Sequence, residues 1–221
     1  MIKYFIFGFA FIISACNNAP KGEKAKVIET EVKKDISENN NKFESADVYE
    51  VNSQDSKIYW VGSKPTGKHH GVLNCKTGNI YVENNTIVGG KIIFDMNSID
   101  DQSLTGSYKA KLEKHLKSED FFDVNRYPEA SFEILKVNNI SQNNYKVTGS
   151  LNIKNIVKQI EFNAKINLDG DELLVEAPQF TFDRTLFDIK YKSKKIFPSL
   201  KDKFIDDLIG ISIKLKAEKK N

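Results

Sequence analysis

The stretch HLKSEDFFDVNRYPEASFEI, residues 115–134, packs one histidine, five acids, two basic residues and four Phe or Tyr rings into twenty positions. His115 with Glu119, Asp120 and Asp123 has the residue types for acid–base work or for a metal. The spacing argues against both. A helix-borne ligand pair needs partners at i and i+4, such as two histidines, and no second histidine stands nearby. A structural corner accounts for more of these residues. Ser118 to Asp120 satisfy backbone groups at a helix end, Phe121 and Phe122 plug a core, and Tyr127-Pro128 forces an extended path into a strand from Ala130 to Val137.

The other chemistry-bearing residues are equally sparse. His69 and His70 adjoin in TGKHHG, so in a strand they point to opposite faces and do not share a metal. One is left to line a pocket while the other meets solvent. The chain has no Cys-x-x-Cys, no Gly-x-Ser-x-Gly elbow and no Gly-rich phosphate loop before a helix. No catalytic residue, metal ligand or cofactor is therefore assigned. The 33 basic and 30 acidic residues interleave to a formal charge of +3, which lacks the concentrated basic footprint of a nucleic-acid binder.

The first sixteen residues, MIKYFIFGFAFIISAC, read as an export signal: one lysine, then an apolar run too short to span a bilayer, then small residues. The ending Ile13-Ser14-Ala15-Cys16 resembles a bacterial lipobox, which makes Cys16 the expected lipidation site and membrane anchor. Asn17 is not the aspartate associated with inner-membrane retention, so the expected location is the periplasmic side of the envelope, on the outer membrane. Residues 17–46 hold six lysines and six acids with few large apolar groups, and are expected to form a disordered polar tether. The arithmetic leaves Cys75 alone in the mature chain, where an alternating stretch places it inside a sheet as a buried thiol.

From residue 47 to 221 the texture becomes all-β. Segments such as KIYWVGSK, GVLNCKTGNIYV, KIIFDM, ASFEILKV, YKVTGSLNI, KQIEFNAKINL, LLVEAPQFTF and IGISIKLKA are separated by turn residues at Pro65-Thr66-Gly67, Asn84-Asn85, Asn138 to Asn144, Asn155 and Asp169-Gly170. About eight antiparallel strands tend to close and remove their edges, so a β-barrel is expected, with an open sandwich as the alternative. One helix interrupts them, with Leu104, Tyr108, Leu112, His115 and Leu116 at helical spacing, and caps a barrel mouth. Period-two counting turns Ile58, Trp60, Leu73, Ile92, Phe94, Phe132, Ile134, Leu151, Ile153, Phe162, Phe180, Phe182 and Ile211 inward, as lumen or closed core. In TFDRTLFDIKYKSK, Arg184, Lys190 and Lys192 are candidates to receive a polar or phosphate head group at the mouth, alongside His69 and His70; plain surface pairing is the competing account.

Four blocks, GGKIIFDMNSID, HLKSEDFFDVNRYPEASFEI, YKVTGSLNIKNIVKQIEF and FDRTLFDIKY, occur in the order and spacing of the YceI-like family of exported polyisoprenoid-binding proteins, which this chain resembles over about residues 48–217. The resemblance implies a lipocalin-like eight-stranded antiparallel barrel with a short helix. Its apolar lumen would hold a long isoprenoid, an isoprenoid quinone or a similar amphiphile without covalent chemistry. A chain of ~40 carbons at about 0.3 kcal/mol per heavy atom would reach ~12 kcal/mol. The expected partners are thus a long-chain lipid and, through the anchor, the membrane, with no nucleic acid; a homodimer is compatible with this reading. Two other classes carry distinct expectations. A lipid-modifying enzyme on this scaffold requires His69, His70, His115 or Arg184 to converge, and a structural envelope lipoprotein has an exposed apolar patch instead of a cavity.

Overall fold

The computed structural model describes residues 19–28 and 43–220. In chain order the elements are β1 (Glu23–Lys24), β2 (Lys26–Ile28), β3 (Asp47–Val51), β4 (Lys57–Lys64), β5 (Gly67–Glu83), β6 (Thr86–Asp101), α1 (Gly106–Lys117), β7 (Glu129–Ser141), β8 (Asn144–Ile153), β9 (Ile156–Asp169), β10 (Glu172–Asp183) and β11 (Leu208–Lys219). Strands β4 to β11 pair antiparallel with their sequence neighbours, and β11 returns to β4 through Gly210↔Val61 to Lys214↔Lys57. The sheet is a closed eight-stranded barrel. β3 lies in line with β4, between β11 and β5, so the first barrel strand is one path broken at residues 52–56. There Ser56 bridges the break by donating to Lys216 O at 3.2 Å and accepting from Lys216 N at 3.0 Å.

The hairpin turns are built by the residues that tolerate their backbone. Asn84 and Asn85 both have positive φ, as do Lys154 and Asn155, which matches the twist two-residue hairpins need. Pro178 falls at the register shift between Ala177 and Phe180, where the ladder needs no donor. Gly149 is forced by packing: a Cβ there would collide with the Phe132 ring.

α1 covers one end of the barrel. Leu112, His115 and Leu116 face inward as the spacing predicts, but Tyr108 is 75% exposed and does not belong to that face.

The wall has one seam. β9 and β10 pair only near their hairpin, from Glu172↔Asp169 to Glu176↔Lys165, and diverge beyond it. Residues 19–28, part of the segment the sequence assigns to a tether, lie in that gap. β1 pairs parallel with β10 at Phe180 and Thr181, and β2 pairs antiparallel with β9 at Gln159 to Glu161. Ala25 is buried and donates its N–H to Thr181 O at 2.8 Å. Asn163 Nδ2 donates to Glu23 Oε2 at 2.9 Å, and Gln179 Nε2 donates to Lys21 O. The run Glu23-Lys24-Ala25-Lys26-Val27-Ile28 is short of apolar bulk, yet the open strand edges supply partners that composition alone does not reveal. Substituting Ala25→Asp places a charge at a buried position. We expect amide protons of residues 25–28 to lose hydrogen-exchange protection while the β8–β9 ladder keeps its own; unchanged protection would contradict this packing.

Candidate ligand cavity

Antiparallel closure sends alternate connections to opposite ends of the barrel. One end carries the short hairpins β5–β6, β7–β8 and β9–β10. The other carries the β4–β5 and β8–β9 hairpins together with the two long connections, 102–128 with α1 and 184–207 with short 3-10 turns at Arg184–Phe187 and Pro198–Lys203. This second end is the mouth of an internal cavity of about 910 Å³, at the upper end of the size of small-molecule sites.

The structure places all twelve of Ile58, Trp60, Leu73, Ile92, Phe94, Phe132, Ile134, Leu151, Ile153, Phe162, Phe180 and Phe182 on the wall of this cavity, with Ile211. Phe162 and Phe180 stack across the β9–β10 seam with centroids 4.5 Å apart, and Phe132 tilts against Phe162 at 5.6 Å. Other lining residues escape period-two counting. Leu73 and Ile80 both line the cavity, although an odd interval separates them, because β5 shifts register between Cys75 and Thr77. Met96 and Ile99, and Ile134 and Val137, switch parity in the same way, the second pair at the shift between Ile134 and Lys136. Such bulges leave no mark in these stretches except the glycine and polar residues near them.

The head-group candidates separate. His69, Arg184 and Lys192 line the cavity, whereas His70 is on the outer face and Lys190 pairs with Asp188 in solvent. The adjacency of His69 and His70 made that division unavoidable. Arg184 is 1% exposed, and its guanidinium is spent on three backbone carbonyls and one carboxylate: Nε donates to Asp206 O at 3.0 Å, Nη1 to Ile189 O at 2.7 Å, and Nη2 to Ile205 O at 3.0 Å and Asp207 Oδ1 at 3.4 Å. Burial pulls its pKa below the usual guanidinium value, while Asp207, Asp183 and Asp206 oppose the shift. Arg184 is a brace that ties both ends of the 184–207 connection together, and its planar fork suits several carbonyls at once.

His69 pairs with Gly62, two rungs in from the β4–β5 turn. Its Nδ1 is 2.9 Å from Ser103 Oγ, and Ser103 Oγ donates to Asp101 Oδ1 at 2.7 Å. Asp101 is fully buried and also accepts from Leu104 N at 2.8 Å. Burial, then Lys64, lowers the His69 pKa, with Asp101 opposing and His70 adding to the depression. The rim itself carries Lys64, Lys111, Lys192 and Lys203 with Asp202 and Asp206. Asp206 accepts from Ser63 Oγ at 2.6 Å, which joins the 184–207 connection to the β4–β5 hairpin.

The residue 115–134 cluster is a corner at this mouth. His115 Nε2 lies 3.0 Å from Asp120 Oδ2, Ser118 Oγ donates to His115 O at 2.7 Å, and Phe121 and Val124 are buried. The imidazole stands edge-on to Phe121 at 5.1 Å and to Tyr191 at 4.7 Å, so it links α1 to the 184–207 connection. His69, His115 and Arg184 share the cavity lining but engage separate protein groups: His69 Nδ1 meets Ser103, His115 Nε2 meets Asp120, and the guanidinium meets the 184–207 connection. Among the described residues, no three His, Cys, Asp or Glu side chains cluster as a metal site. Cys75 is buried in β5, and burial raises its pKa to about 11. Cys16 lies outside the described residues.

A closed antiparallel barrel with an apolar lumen and a covered mouth is a lipocalin-like architecture. The YceI-like domain matches residues 49–217, and the chain belongs to that family. A UPF0312 protein of Pseudomonas putida is 31% identical over 103 residues, 47% of this chain and 52% of that protein. The chain thus spans about half the length of such curated relatives. A UPF0312 protein of Pseudomonas savastanoi is 36% identical over 63 residues, 28% of this chain and 33% of that one. Among solved structures, Burkholderia cenocepacia BcnA has a TM-score of 0.61 at 18% identity, covering 76% of this chain and 99% of its own. A polyisoprenoid binding domain from Saccharophagus degradans, implicated in plant cell wall breakdown, has a TM-score of 0.57 at 11% identity, covering 78% and 98%. These two likenesses show the fold.

Two outcomes follow from the buried groups. Arg184→Leu strips four hydrogen bonds and leaves carbonyls and Asp207 unpaired, which we expect to cost about 3–5 kcal/mol in urea unfolding; a loss below about 1 kcal/mol would remove the brace role. Because the folded Cys75 thiol titrates above its unfolded counterpart, its contribution is complete below about pH 9 and is lost as pH rises through about 11. Wild type should therefore lose about 2 kcal/mol relative to Cys75→Ala across that window, measured as the difference in unfolding free energy between the two proteins.

Proposed function

We propose that this protein binds one long-chain isoprenoid, an isoprenoid quinone or a comparable amphiphile in the barrel lumen, without covalent chemistry. The observation that carries this reading is the cavity of about 910 Å³ walled by aliphatic and aromatic side chains from all eight strands. At about 30 Å³ per methylene-sized group, a volume close to that of a water molecule, it accommodates roughly 30 such groups. That is fewer than the ~40 carbons expected from sequence, and at about 0.3 kcal/mol per heavy atom it supports about 9 kcal/mol, a sub-micromolar affinity. The polyisoprenoid binding domain from Saccharophagus degradans supports the chemistry by analogy of fold.

The proposal extends to location. Cys16, lipidated, would anchor the barrel at the periplasmic side of the envelope, on the outer membrane, for carriage or storage of the lipid or as part of a stress response. Only Asn17 and Asn18 stand between Cys16 and Ala19, three residue steps that reach about 10 Å at full extension, so the anchor would hold the β9–β10 side of the barrel near the bilayer. Among the described residues no helix is long and apolar enough to cross a membrane.

Trp60 is the chain's single tryptophan and lines the cavity, so its fluorescence reports occupancy directly. Titration with a long-chain polyprenol is expected to change Trp60 emission saturably, with Phe94→Glu or Phe132→Glu abolishing the response while the far-ultraviolet spectrum stays β-like. An undiminished response in both variants would count against a lumen site. Independently, Cys16→Ser should shift the protein from the detergent phase to the aqueous phase on Triton partition; no shift would remove the anchor.

A further inference from the structure

The lumen explains why a long apolar chain would stay, but leaves its polar end undefined. Two sets of polar groups meet the cavity. The rim lysines are exposed and mixed with Asp202 and Asp206. His69 is different, because hydrogen bonds fix both its position and its proton.

Ser103 has a single hydroxyl proton, and it is directed to Asp101 Oδ1 at 2.7 Å. Asp101 accepts at both oxygens, the second from Leu104 N, and its own N–H donates to Glu113 Oε1 at 2.9 Å. Ser103 Oγ therefore meets the imidazole as an acceptor, and Nδ1 must donate to it across 2.9 Å. In a neutral ring that leaves Nε2 without a proton, as an acceptor. Nε2 has no hydrogen-bond partner among the described residues, and the side chain lines the cavity. The neutral ring is favoured by burial and by Lys64; Asp101 pulls the other way and His70 faces outward. A fixed acceptor on a residue that lines an apolar lumen discriminates by chemistry: it rewards a ligand O–H and is left unsatisfied by an ether or ester oxygen in the same place.

We infer that the Asp101–Ser103–His69 relay is a head-group site, and that the ligand this barrel selects is a neutral long-chain isoprenoid alcohol or phenol whose hydroxyl donates to His69 Nε2. The assignment rests on the lumen-binding reading above. Asp101 and Ser103 are positioning residues that hold the ring and its tautomer, and His69 alone touches the ligand. The rim lysines then serve solubility rather than recognition.

The test compares three ligands of equal chain length on the purified full chain: a polyprenol, its methyl ether and its monophosphate, each followed by Trp60 fluorescence. Wild type should bind the alcohol about tenfold more tightly than the ether. His69→Phe should bring that ratio to about one by weakening the alcohol alone. Because a substitution in β5 can disturb folding, imidazole ¹⁵N spectra of wild type provide a second reading. An unprotonated Nε2 signal should be present in the free protein, and should move on addition of the alcohol and stay in place on addition of the ether. Equal affinity for alcohol and ether, a preference that survives His69→Phe, or tightest binding of the monophosphate would each overturn the assignment, the last in favour of the lysine rim. Saturable ether binding with no preference defeats only the head-group site, whereas binding of none of the three defeats the lumen reading as well.

Discussion

A sheet has to dispose of the unpaired N–H and C=O groups along its edges, and in this chain that requirement shapes almost everything else. Eight antiparallel strands satisfy it by closing, with β11 laid against β4. Closure at that strand number turns one face of every strand toward an interior wider than its side chains fill, so a cavity of about 910 Å³ remains. It also sends the two long connections to one end. The cavity therefore has a mouth whose cover is made of a helix and irregular chain rather than of strands.

Irregular chain over an apolar cavity needs its own polar groups satisfied, and Arg184 meets that need. Four hydrogen bonds from one buried guanidinium gather Ile189, Ile205, Asp206 and Asp207. Ser63 and the His115, Phe121 and Tyr191 rings then join this connection to the β4–β5 hairpin and to α1. The place where closure falls short is the β9–β10 seam, and there residues 19–28 complete the wall from outside the family's matched span of 49–217. Phe162 and Phe180, stacked beneath that strap, belong to both the wall and the lumen.

Much of this was legible in the residues. Turn chemistry at Asn84-Asn85 and Asn155 and alternation along the strands pointed to about eight antiparallel strands and a barrel, with an open sandwich still open, and the inward side chains chosen by parity all meet the cavity. Parity fails where a strand bulges: Ile80, Ile99 and Val137 lie beyond shifts that the sequence marks only faintly. Charged residues were harder to read, because their partners come from distant connections. Arg184 looked like a head-group ligand and is a brace; Lys190 looked like one and is a surface ion pair. His69 could be singled out only as half of a pair, since Ser103, 34 positions away, is what fixes its proton. The strap was least visible of all, because its order comes from the strand edges it meets and not from its own composition.

The functional reading turns on whether the lumen holds a long-chain lipid. Native mass spectrometry of the full chain produced in a bacterial host, followed by solvent extraction and lipid identification, addresses it most directly, and the same spectra count the copies of the chain per particle. One extractable isoprenoid alcohol, phenol or quinone per barrel is expected. Protein that arrives empty and then refuses added polyprenol and quinone alike would contradict it.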